Sequence, residues 1–291
     1  MKSALSTLEL LLPRTLEEAL KHMAAKDRPM PLAGGTDLFV YLNGGAQPEC
    51  RYMDVSRLAV LRHVLVGRNT ITIGGGVTFR AIREHAEIRR RFPSLTAVAA
   101  EVGAWQIQNR ATIAGNIANA SPAGDSLPVL LAHDATVHVR STRGVRDVAF
   151  ADLYLGYRKL AIEPDELITA VTLTSPPKWT CAFFRKVGTR RAQSISKVVF
   201  AGVLAARPGQ EVTHVRLAYG SMAATPARAR HAEEALLGRR LTAGTVAAAR
   251  SALARDFTPI DDIRSERDYR MAVAENVLEQ FLRSAPNTSR R

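Results

Sequence analysis

Two adjacent glycines between a predicted strand and a predicted helix form the first candidate site. The stretch is Ala33-Gly34-Gly35-Thr36-Asp37, and it follows a short apolar run that begins at Met30. Glycine tolerates positive φ and lets backbone N–H groups approach a bulky anion. A helix start adds free N–H groups and the positive end of the helix dipole. The pattern predicts a cradle for a diphosphate, although a purely structural turn before a capped helix has the same composition.

A second segment, rich in small residues and asparagine, lies near the middle of the chain. It runs Thr112-Ile113-Ala114-Gly115-Asn116 and continues through Ser121-Pro-Ala-Gly-Asp125. Gly115 permits close backbone approach, while Thr112 and Asn116 have short polar side chains suited to phosphate or ribose contacts. Asp125 can accept a hydrogen bond from a sugar-type hydroxyl. An ordinary surface loop explains the composition equally well, but two such segments in one α/β half favour a split dinucleotide site.

Several other chemistries lack the residues they need. The first segment is not Gly-x-Gly-x-x-Gly, and no Gly-Lys-Ser/Thr follows it, so neither a Rossmann site nor a P-loop is supported. Cys50 and Cys181 are far apart, which argues against a disulfide framework and fits a reducing compartment. Without Cys-x-x-Cys the chain cannot supply the thiolates of an iron–sulfur cluster. The seven histidines show no metal-binding spacing, so metal chemistry is predicted to lie on another chain.

The net charge of +13 raises the question of nucleic-acid binding. The basic residues are scattered, and the densest runs, 89–91 and 185–191, belong to no recognisable nucleic-acid module. A solvated basic face or a docking face for acidic subunits explains the charge better. No run of 18 apolar residues and no signal-peptide pattern is present, so neither a membrane span nor export is expected and a cytoplasmic location is predicted.

The first part of the chain alternates helices and strands, which indicates α/β organisation. Thr15-Leu-Glu-Glu18 is a capping box for a helix with Leu16, Ala19, Leu20 and Met23 on its apolar face. Thr36 is predicted to cap the helix after the first glycine segment. Further strands are predicted at 52–55, 70–73 and 136–140, helices after Thr78 and from Pro93, and a long ordered loop over 112–126.

The later part of the chain follows a different pattern. Four strand-like runs, at 167–173, 181–187, 198–205 and 212–219, have no long helix between them and suggest an antiparallel sheet. Helices are predicted at 226–237, 243–255 and 266–283. The domain boundary is predicted near Pro176-Pro177.

Together these motifs resemble the FAD subunit of the xanthine dehydrogenase and carbon monoxide dehydrogenase family of molybdenum hydroxylases. The resemblance rests on PLAGGTDL from Pro31 and TIAGNIANASPAGDSLPVLLAHDATV from Thr112. It is extended by motifs at 103–111, 165–168, 185–190, 195–198 and 262–270, in the family's order, and spans nearly the whole chain. One departure is Ala114, which stands where the family usually has glycine.

The resemblance implies an α+β fold. A two-part FAD-binding domain of the vanillyl-alcohol-oxidase/PCMH type would span residues 1–176, with parts of about 1–56 and 57–176. A C-terminal antiparallel sheet with helices would span 177–285, followed by a flexible tail, 286–291. The implied FAD contacts are Ala33, Gly34, Gly35, Thr36, Asp37, Val102, Thr112, Ile113, Ala114, Gly115, Asn116, Asp125, Ile168 and Lys186, with Ile168 packing on the flavin and Lys186 making a polar contact.

Plainer interpretations of the individual flavin contacts remain open. Lys186 lies in a basic strand and is also interpretable as a solvated residue, and Ile168 as a core residue. Trp105 and Tyr157 have rings able to stack on an isoalloxazine, but a lone aromatic residue is more often core packing.

The resemblance also implies a function and partners. The chain would carry FAD and take electrons from [2Fe–2S] clusters on a small iron–sulfur subunit. It would pass them to an external acceptor while a large molybdopterin subunit hydroxylates a small N-heterocyclic or aldehyde-type substrate. The assembly implied is a dimer of heterotrimers. No catalytic side chain and no metal ligand is assigned to this chain, because the redox chemistry belongs to the cofactor.

Two other hypotheses are open at the level of sequence. One is a stand-alone FAD oxidase or reductase of the same flavin fold, against which stands the lack of a motif for covalent flavin attachment. The other is a binding or regulatory protein without activity, against which stand the intact glycine segments.

Overall fold

Three clusters of buried apolar side chains organise the computed structural model, which describes residues 8–45 and 51–285. The first cluster lies mainly within residues 16–61, the second around a central sheet, and the third in the C-terminal part. Cys50 and the predicted tail, 286–291, lie outside the described residues. Across the described ranges, no helix combines the length and apolar character required to cross a bilayer.

The N-terminal unit is a small parallel sheet with two helices. Its elements are β1 (Glu9–Leu11), α1 (Leu16–Ala24), β2 (Met30–Leu32), α2 (Leu38–Asn43) and β3 (Arg51–Asp54), with strand order β1-β3-β2. The predicted apolar face of α1 is buried. Thr15 caps the helix as predicted, accepting from the Glu18 N–H at 3.1 Å. The Glu18 carboxylate instead accepts from the Arg14 N–H at 2.7 Å, one residue before the expected donor.

The central unit is a five-stranded antiparallel sheet covered by short helices. Its strands, in spatial order, are β4 (Val64–Val66), β5 (Thr70–Gly74), β10 (Leu167–Thr174), β6 (Thr136–Ser141) and β7 (Gly144–Ala149). A hairpin of β8 (Tyr154–Gly156) and β9 (Lys159–Leu160) stands apart from this sheet. The predicted grouping of 167–173 with the later strands is wrong, because β10 pairs with β5 on one side and β6 on the other.

The helices of the central unit are α3 (Phe79–Glu84), α4 (Ala86–Arg91), α5 (Pro93–Ala99), α6 (Trp105–Gln108), α7 (Ile113–Asn119) and α8 (Leu127–Ala132). A helix begins after Thr78 as predicted, and the Thr78 hydroxyl caps it by accepting from the Ala81 N–H at 3.2 Å. The continuous helix predicted after it is broken at His85, whose ring accepts the Ile88 N–H and starts α4. The prediction of a loop throughout 112–126 is wrong, since α7 occupies its first half.

The C-terminal unit is a four-stranded antiparallel sheet with three helices on one face. It contains β11 (Thr180–Val187), β12 (Val198–Ala205), β13 (His214–Gly220), β14 (Ala227–Arg228), α9 (Arg230–Leu236), α10 (Ala243–Asp256) and α11 (Arg267–Ser284). The helix predicted from 226 begins later because β14 precedes it.

Strand β12 explains how the C-terminal and central units hold together. All eight of its residues are buried, and successive side chains of a strand point to opposite faces. Val198, Phe200 and Leu204 join the C-terminal cluster, whereas Ala201 and Val203 join the central one. The sheet is therefore a shared layer, which fixes β11 against the helices of the central unit.

Candidate functional site

The first glycine segment forms a tight turn that only glycine suits at one position. Gly35 has φ +75°, and a Cβ placed there would lie 2.7 Å from the ring of Phe39. Leu38 begins α2 directly after the turn. We call residues 33–37 the glycine loop.

The glycine loop presents a row of backbone donors. Within the described part of the chain, the N–H groups of the four consecutive residues Gly34–Asp37 donate to no other protein group. Unpaired N–H groups in a row form a concave anion-binding arrangement. The helix dipole of α2 contributes less to anion binding than the sequence predicted, because α2 has only six residues.

The predicted helix cap at Thr36 is wrong. Asp37 is the cap residue, and no side chain caps the helix. The Asp37 carboxylate instead accepts a hydrogen bond from the Asn119 amide at 3.1 Å. Partial burial raises the pKa of Asp37, while the Arg158 charge and the Asn119 hydrogen bond lower it. Arg158 and Asn119 therefore favour the ionised form of the Asp37 carboxylate, at the end of α7 where Asn119 lies.

The two segments singled out from the sequence lie against each other. A Cβ on Gly34 would be 2.1 Å from the carbonyl oxygen of Arg110 and 3.0 Å from the Cα of Ala111. The Asn119–Asp37 hydrogen bond closes the other end of the contact. The tertiary fold thus brings residues 33–37 beside the start and the end of α7, as a split site requires.

The second segment uses its own donors internally. The Thr112 hydroxyl, on a residue that is almost fully buried, accepts from the Gly115 N–H at 3.1 Å and caps α7. The N–H groups of the other first residues of α7 also have acceptors: Ile113 donates to Val77, Ala114 to Gly75, and Asn116 to Thr112. Gly115 is exposed, and a Cβ there would meet only the Thr112 hydroxyl. This segment therefore offers space, whereas the glycine loop offers donors.

Ile168, a residue of β10, lies close to the first residues of α7. A Cβ on Gly75 would be 2.7 Å from the Ile168 carbonyl oxygen and 3.0 Å from the Cβ of Ala114. The register of β10 shifts between Ile168 and Ala170. The Ile168 side chain packs in the central core, and its contact with the flavin stays a prediction.

Asp125 and Lys186 form a buried ion pair between the central and C-terminal units. The Lys186 ammonium lies 2.6 Å from Asp125 Oδ2, with side-chain exposures of 3% and 10%. The Ser196 hydroxyl donates to the other carboxylate oxygen. Burial raises the pKa of Asp125, and the Lys186 charge opposes that rise. The interpretation of Lys186 as a solvated residue is wrong, since its charge is held inside the protein.

Lys186 also binds the backbone next to Val102, the last of the predicted FAD contacts. Its ammonium donates to the carbonyl oxygen of Glu101 at 3.2 Å, next to Val102, which is buried in the central core. Burial raises the pKa of the Glu101 carboxyl, and the Lys186 charge lowers it. An ammonium has three N–H donors, and two are used in these bonds. One donor remains for a bound group.

Some residues of this arrangement were not singled out from the sequence. Ser196 holds Asp125, Asn119 holds Asp37, and the Ser126 hydroxyl donates to Asn116 Oδ1 at 2.6 Å. Ser196 lies inside the quoted motif 195–198 and Asn119 inside the segment that begins at Thr112. Their types alone gave no signal, because each partner comes from elsewhere in the fold.

Trp105 and Tyr157 are not core residues, contrary to the plainer interpretation. Trp105 is 63% exposed, and the Arg83 guanidinium lies 3.9 Å from its ring centre. Tyr157 is 66% exposed at the tip of the β8–β9 hairpin.

The motif 262–270, which contributed to the family resemblance, holds segments of the C-terminal unit together. The buried Arg270 guanidinium donates to the carbonyl oxygens of Lys197 and Ser221, both at 2.8 Å, and to the Asp262 carboxylate. An open depression of about 420 Å³ near this motif is lined by Asp261, Glu266, Arg267 and Asp268. Its lining contains none of the predicted cofactor contacts.

Known protein families match both parts of the chain. The family described as the FAD binding domain in molybdopterin dehydrogenase matches residues 6–176. The family described as the CO dehydrogenase flavoprotein C-terminal domain matches residues 183–285. The chain therefore belongs to the family of FAD-binding subunits of molybdopterin dehydrogenases, which confirms the predicted membership and the presence of an FAD-binding domain.

Curated relatives and a solved structure agree with this membership. The nicotinate dehydrogenase FAD-subunit of Eubacterium barkeri is 34% identical over 82% of this chain and 83% of the relative. The xanthine dehydrogenase FAD-binding subunit of Escherichia coli O157:H7 is 30% identical over 93% of each chain. The structure of carbon monoxide dehydrogenase from Hydrogenophaga pseudoflava superposes with a TM-score of 0.90 at 27% identity, covering 96% of each chain. The predicted α+β fold and the oxidoreductase-subunit assignment are confirmed, and the relatives favour the subunit over a stand-alone oxidase.

The residues present fit an FAD. The glycine loop supplies four unpaired N–H donors of the kind a diphosphate requires. Gly115 leaves open space at the exposed start of α7. Lys186 keeps one ammonium donor beside Glu101 and Asp125.

Proposed function

We propose that the chain binds one FAD with its diphosphate on the N–H row of Gly34–Asp37 and its flavin toward Val102, Ile168 and Lys186. The observation that carries this proposal is the row of four unpaired donors packed directly against Arg110 and Ala111. The proposed contacts are the fourteen residues predicted from the sequence. Ala33 begins the glycine loop, and Thr112–Asn116 line the opposite side of the diphosphate.

The buried pair would hold the flavin end in place. Asp125 neutralises Lys186 in a region from which water is largely excluded, and so fixes the ammonium without leaving an uncompensated charge. The remaining N–H of Lys186 would be free to donate to a polar group of the bound cofactor. Asp125 has both oxygens engaged already, so a sugar hydroxyl would share an oxygen with Lys186 or Ser196.

FAD, when bound, supplies the electron transfer, and the side chains of this chain bind, orient and tune it. No general base is assigned to the chain. Electrons would arrive from [2Fe–2S] clusters on a small subunit, after oxidative hydroxylation on a large molybdopterin subunit. Relatives named as medium chains or medium subunits support such an assembly, which we propose to be a cytoplasmic dimer of heterotrimers acting on a small N-heterocyclic or aldehyde-type substrate.

A glycine substitution tests the cradle directly. Gly34→Ala places a Cβ against the Arg110 carbonyl and should push the glycine loop away from α7. We expect purified Gly34→Ala to lose bound FAD, as measured by absorbance after release, while Gly45→Ala, with open space around its Cβ, retains it. Full flavin retention in Gly34→Ala would contradict the proposed site. An unsubstituted chain that binds no flavin would favour the regulatory hypothesis.

Affinity purification from the native host tests the partners. A tagged chain should recover one iron–sulfur and one molybdenum subunit, with the metals measured by elemental analysis. Recovery of an active flavoprotein that contains this chain alone would contradict the assembly.

A further inference from the structure

Four polar side chains lie in a line across the outer face of the central sheet and have no part in the function proposed above. Alternate residues of β5, β6 and β10 are fully buried in the central core, so the residues between them point away from it. On that outer face Asp147 of β7, His138 of β6, Thr172 of β10 and Thr72 of β5 follow one another across four neighbouring strands. We call these four residues the sheet-face network.

Hydrogen bonds join the four side chains in sequence. His138 Nδ1 lies 2.6 Å from Asp147 Oδ1, and His138 Nε2 lies 2.6 Å from Thr172 Oγ1. Thr172 Oγ1 in turn lies 2.7 Å from Thr72 Oγ1. The sheet register positions these groups, because His138 is directly opposite Asp147 and Thr172 is directly opposite Thr72. The residue opposite His138 on β10 is the small Ala170, so the His138 ring can reach diagonally to Thr172.

The carboxylate sets the direction of every bond in the network. An ionised Asp147 only accepts hydrogen bonds, so the neutral His138 ring donates through Nδ1–H and accepts the Thr172 hydroxyl proton at Nε2. The proton of Thr172 is then committed, so the Thr72 hydroxyl is the donor between the two threonines. Thr172 thus has a base on its proton, and its oxygen, which has two lone pairs, keeps one of them unused.

This arrangement is that of an activated nucleophile. A hydroxyl bonded to an imidazole that a carboxylate orients is the pattern used for acyl transfer. Small molecules can reach it, since the side chains of His138 and Asp147 are 24% and 61% exposed. We propose that the sheet-face network hydrolyses small carboxylic esters, with Thr172 as nucleophile, His138 as general base and Asp147 orienting the imidazole. The Thr72 hydroxyl lies beside the bond that forms and supplies a hydrogen bond to the developing oxyanion.

The reaction is balanced without a cofactor and is independent of FAD binding. Thr172 Oγ1 bonds to the ester carbonyl carbon while its proton passes to His138 Nε2. The bond from that carbon to the alcohol oxygen then breaks, and the alcohol leaves with the proton. Water attacks the acyl group on Thr172, and His138 again takes a proton and returns it to Thr172 Oγ1. The products are one alcohol and one carboxylic acid, and the network is restored.

Hydrolysis of p-nitrophenyl acetate by the full chain tests the activity, measured as release of p-nitrophenol. Thr172→Val and His138→Gln should each lower the rate at least about 100-fold, which is the usual contribution of a positioned base. Thr172→Ser keeps the hydroxyl and should retain the activity. In the unsubstituted chain, acid quenching during turnover should leave an acetyl group on Thr172, located by mass spectrometry of its peptides.

Thr136→Val is the matched control. Thr136 lies directly opposite Thr172 on β6 and is partly buried on the same face, so the variant removes a neighbouring hydroxyl outside the sheet-face network and should not change the rate. An undiminished rate in Thr172→Val, or an acetyl group found on His138 without one on Thr172, would overturn the proposal. Hydrolysis by the unsubstituted chain no faster than in buffer would also overturn it and would leave the network as a tie between four strands.

Discussion

The two glycine-bearing segments look alike in sequence but differ in what they offer. The glycine loop, 33–37, leaves four consecutive N–H groups unpaired in the described structure. The segment from Thr112 to Asp125 folds its first half into α7, whose first N–H groups all have acceptors. Its acidic residue, Asp125, is committed to Lys186 and Ser196. The first segment leaves backbone donors without a protein acceptor, and the second joins the central and C-terminal units.

Amino-acid composition alone therefore does not distinguish a segment with free backbone donors from one whose donors are all paired. Both segments combine glycine with threonine and a short polar residue. What separates them is whether a neighbouring segment provides acceptors, as the carbonyl groups of Gly75 and Val77, in the turn after β5, do for α7. If the comparison is correct, substitutions in the glycine loop should affect FAD binding most, and substitutions in α7 should affect mainly stability.

The largest effect is expected for Gly35→Val. Valine at φ +75° with its Cβ 2.7 Å from the Phe39 ring should displace the N–H row. We expect the FAD dissociation constant to rise about 100-fold, since at least two charge-assisted hydrogen bonds of about 1.5 kcal/mol each are lost. Flavin fluorescence titration measures the change.

Gly45→Val separates strain from loop geometry. Gly45 has φ +76° and open space around its Cβ, so the variant shares the backbone strain but leaves the N–H row intact. A similar loss of FAD in both variants would contradict the role of the glycine loop.

The next largest effect is expected for Lys186→Met, which leaves Asp125 buried without its counter-ion. The free energy of unfolding should fall by about 3–5 kcal/mol, and FAD affinity by about tenfold through loss of one charged donor. The pKa of Asp125, already raised by burial, should rise further. A carboxyl that holds its proton more tightly in the folded state makes stability fall as pH rises. The loss in free energy of unfolding relative to the unsubstituted chain, measured by urea unfolding, should therefore be larger at pH 8 than at pH 5.

The double variant Lys186→Met/Asp125→Leu distinguishes the two roles of the pair. Removing the stranded carboxyl should restore part of the stability and abolish the pH dependence, without restoring FAD affinity. Asp125→Ala alone should lower FAD occupancy, because it leaves the Lys186 ammonium unpaired. Full FAD binding in the double variant would show that the pair serves only the junction between the units.

A smaller effect on FAD affinity is expected for Thr112→Val. The variant loses the cap of α7, which lowers the free energy of unfolding by about 1 kcal/mol. FAD affinity should change less than about threefold, since no donor of the N–H row is removed. Thr112→Ser keeps the capping hydroxyl and is the control. A loss of FAD as large as in Gly35→Val would move the main diphosphate contact to α7.

The smallest effect is expected for Ala114→Gly, which introduces the residue more usual in the family. Ala114 has ordinary helical geometry within α7, so its methyl group requires no special φ. Glycine should lower the free energy of unfolding by at most about 1 kcal/mol and leave FAD affinity unchanged. A clear gain in FAD affinity would show that the methyl group narrows the site.

Local features of this protein followed from its sequence because their causes are local. Thr15 was predicted as a helix cap and Thr78 as the residue before a helix, and both accept the N–H three residues on. The apolar face of α1 was predicted from spacing and is buried. Thr36 failed as a cap because the tight turn at Gly35 makes Asp37 the residue before the helix. The order of motifs along the chain was enough to predict the family.

Only the tertiary structure determined which partners meet. Asp125 and Lys186 are 61 residues apart, and no local pattern encodes their pairing; it arises because β12 is shared by two cores and carries β11 against the central unit. β10 was grouped with the wrong sheet, since its alternation fits either sheet and only its neighbours β5 and β6 decide. Periodicity and capping depend on residues within a few positions, whereas a buried charge pair or a sheet order depends on packing between distant segments.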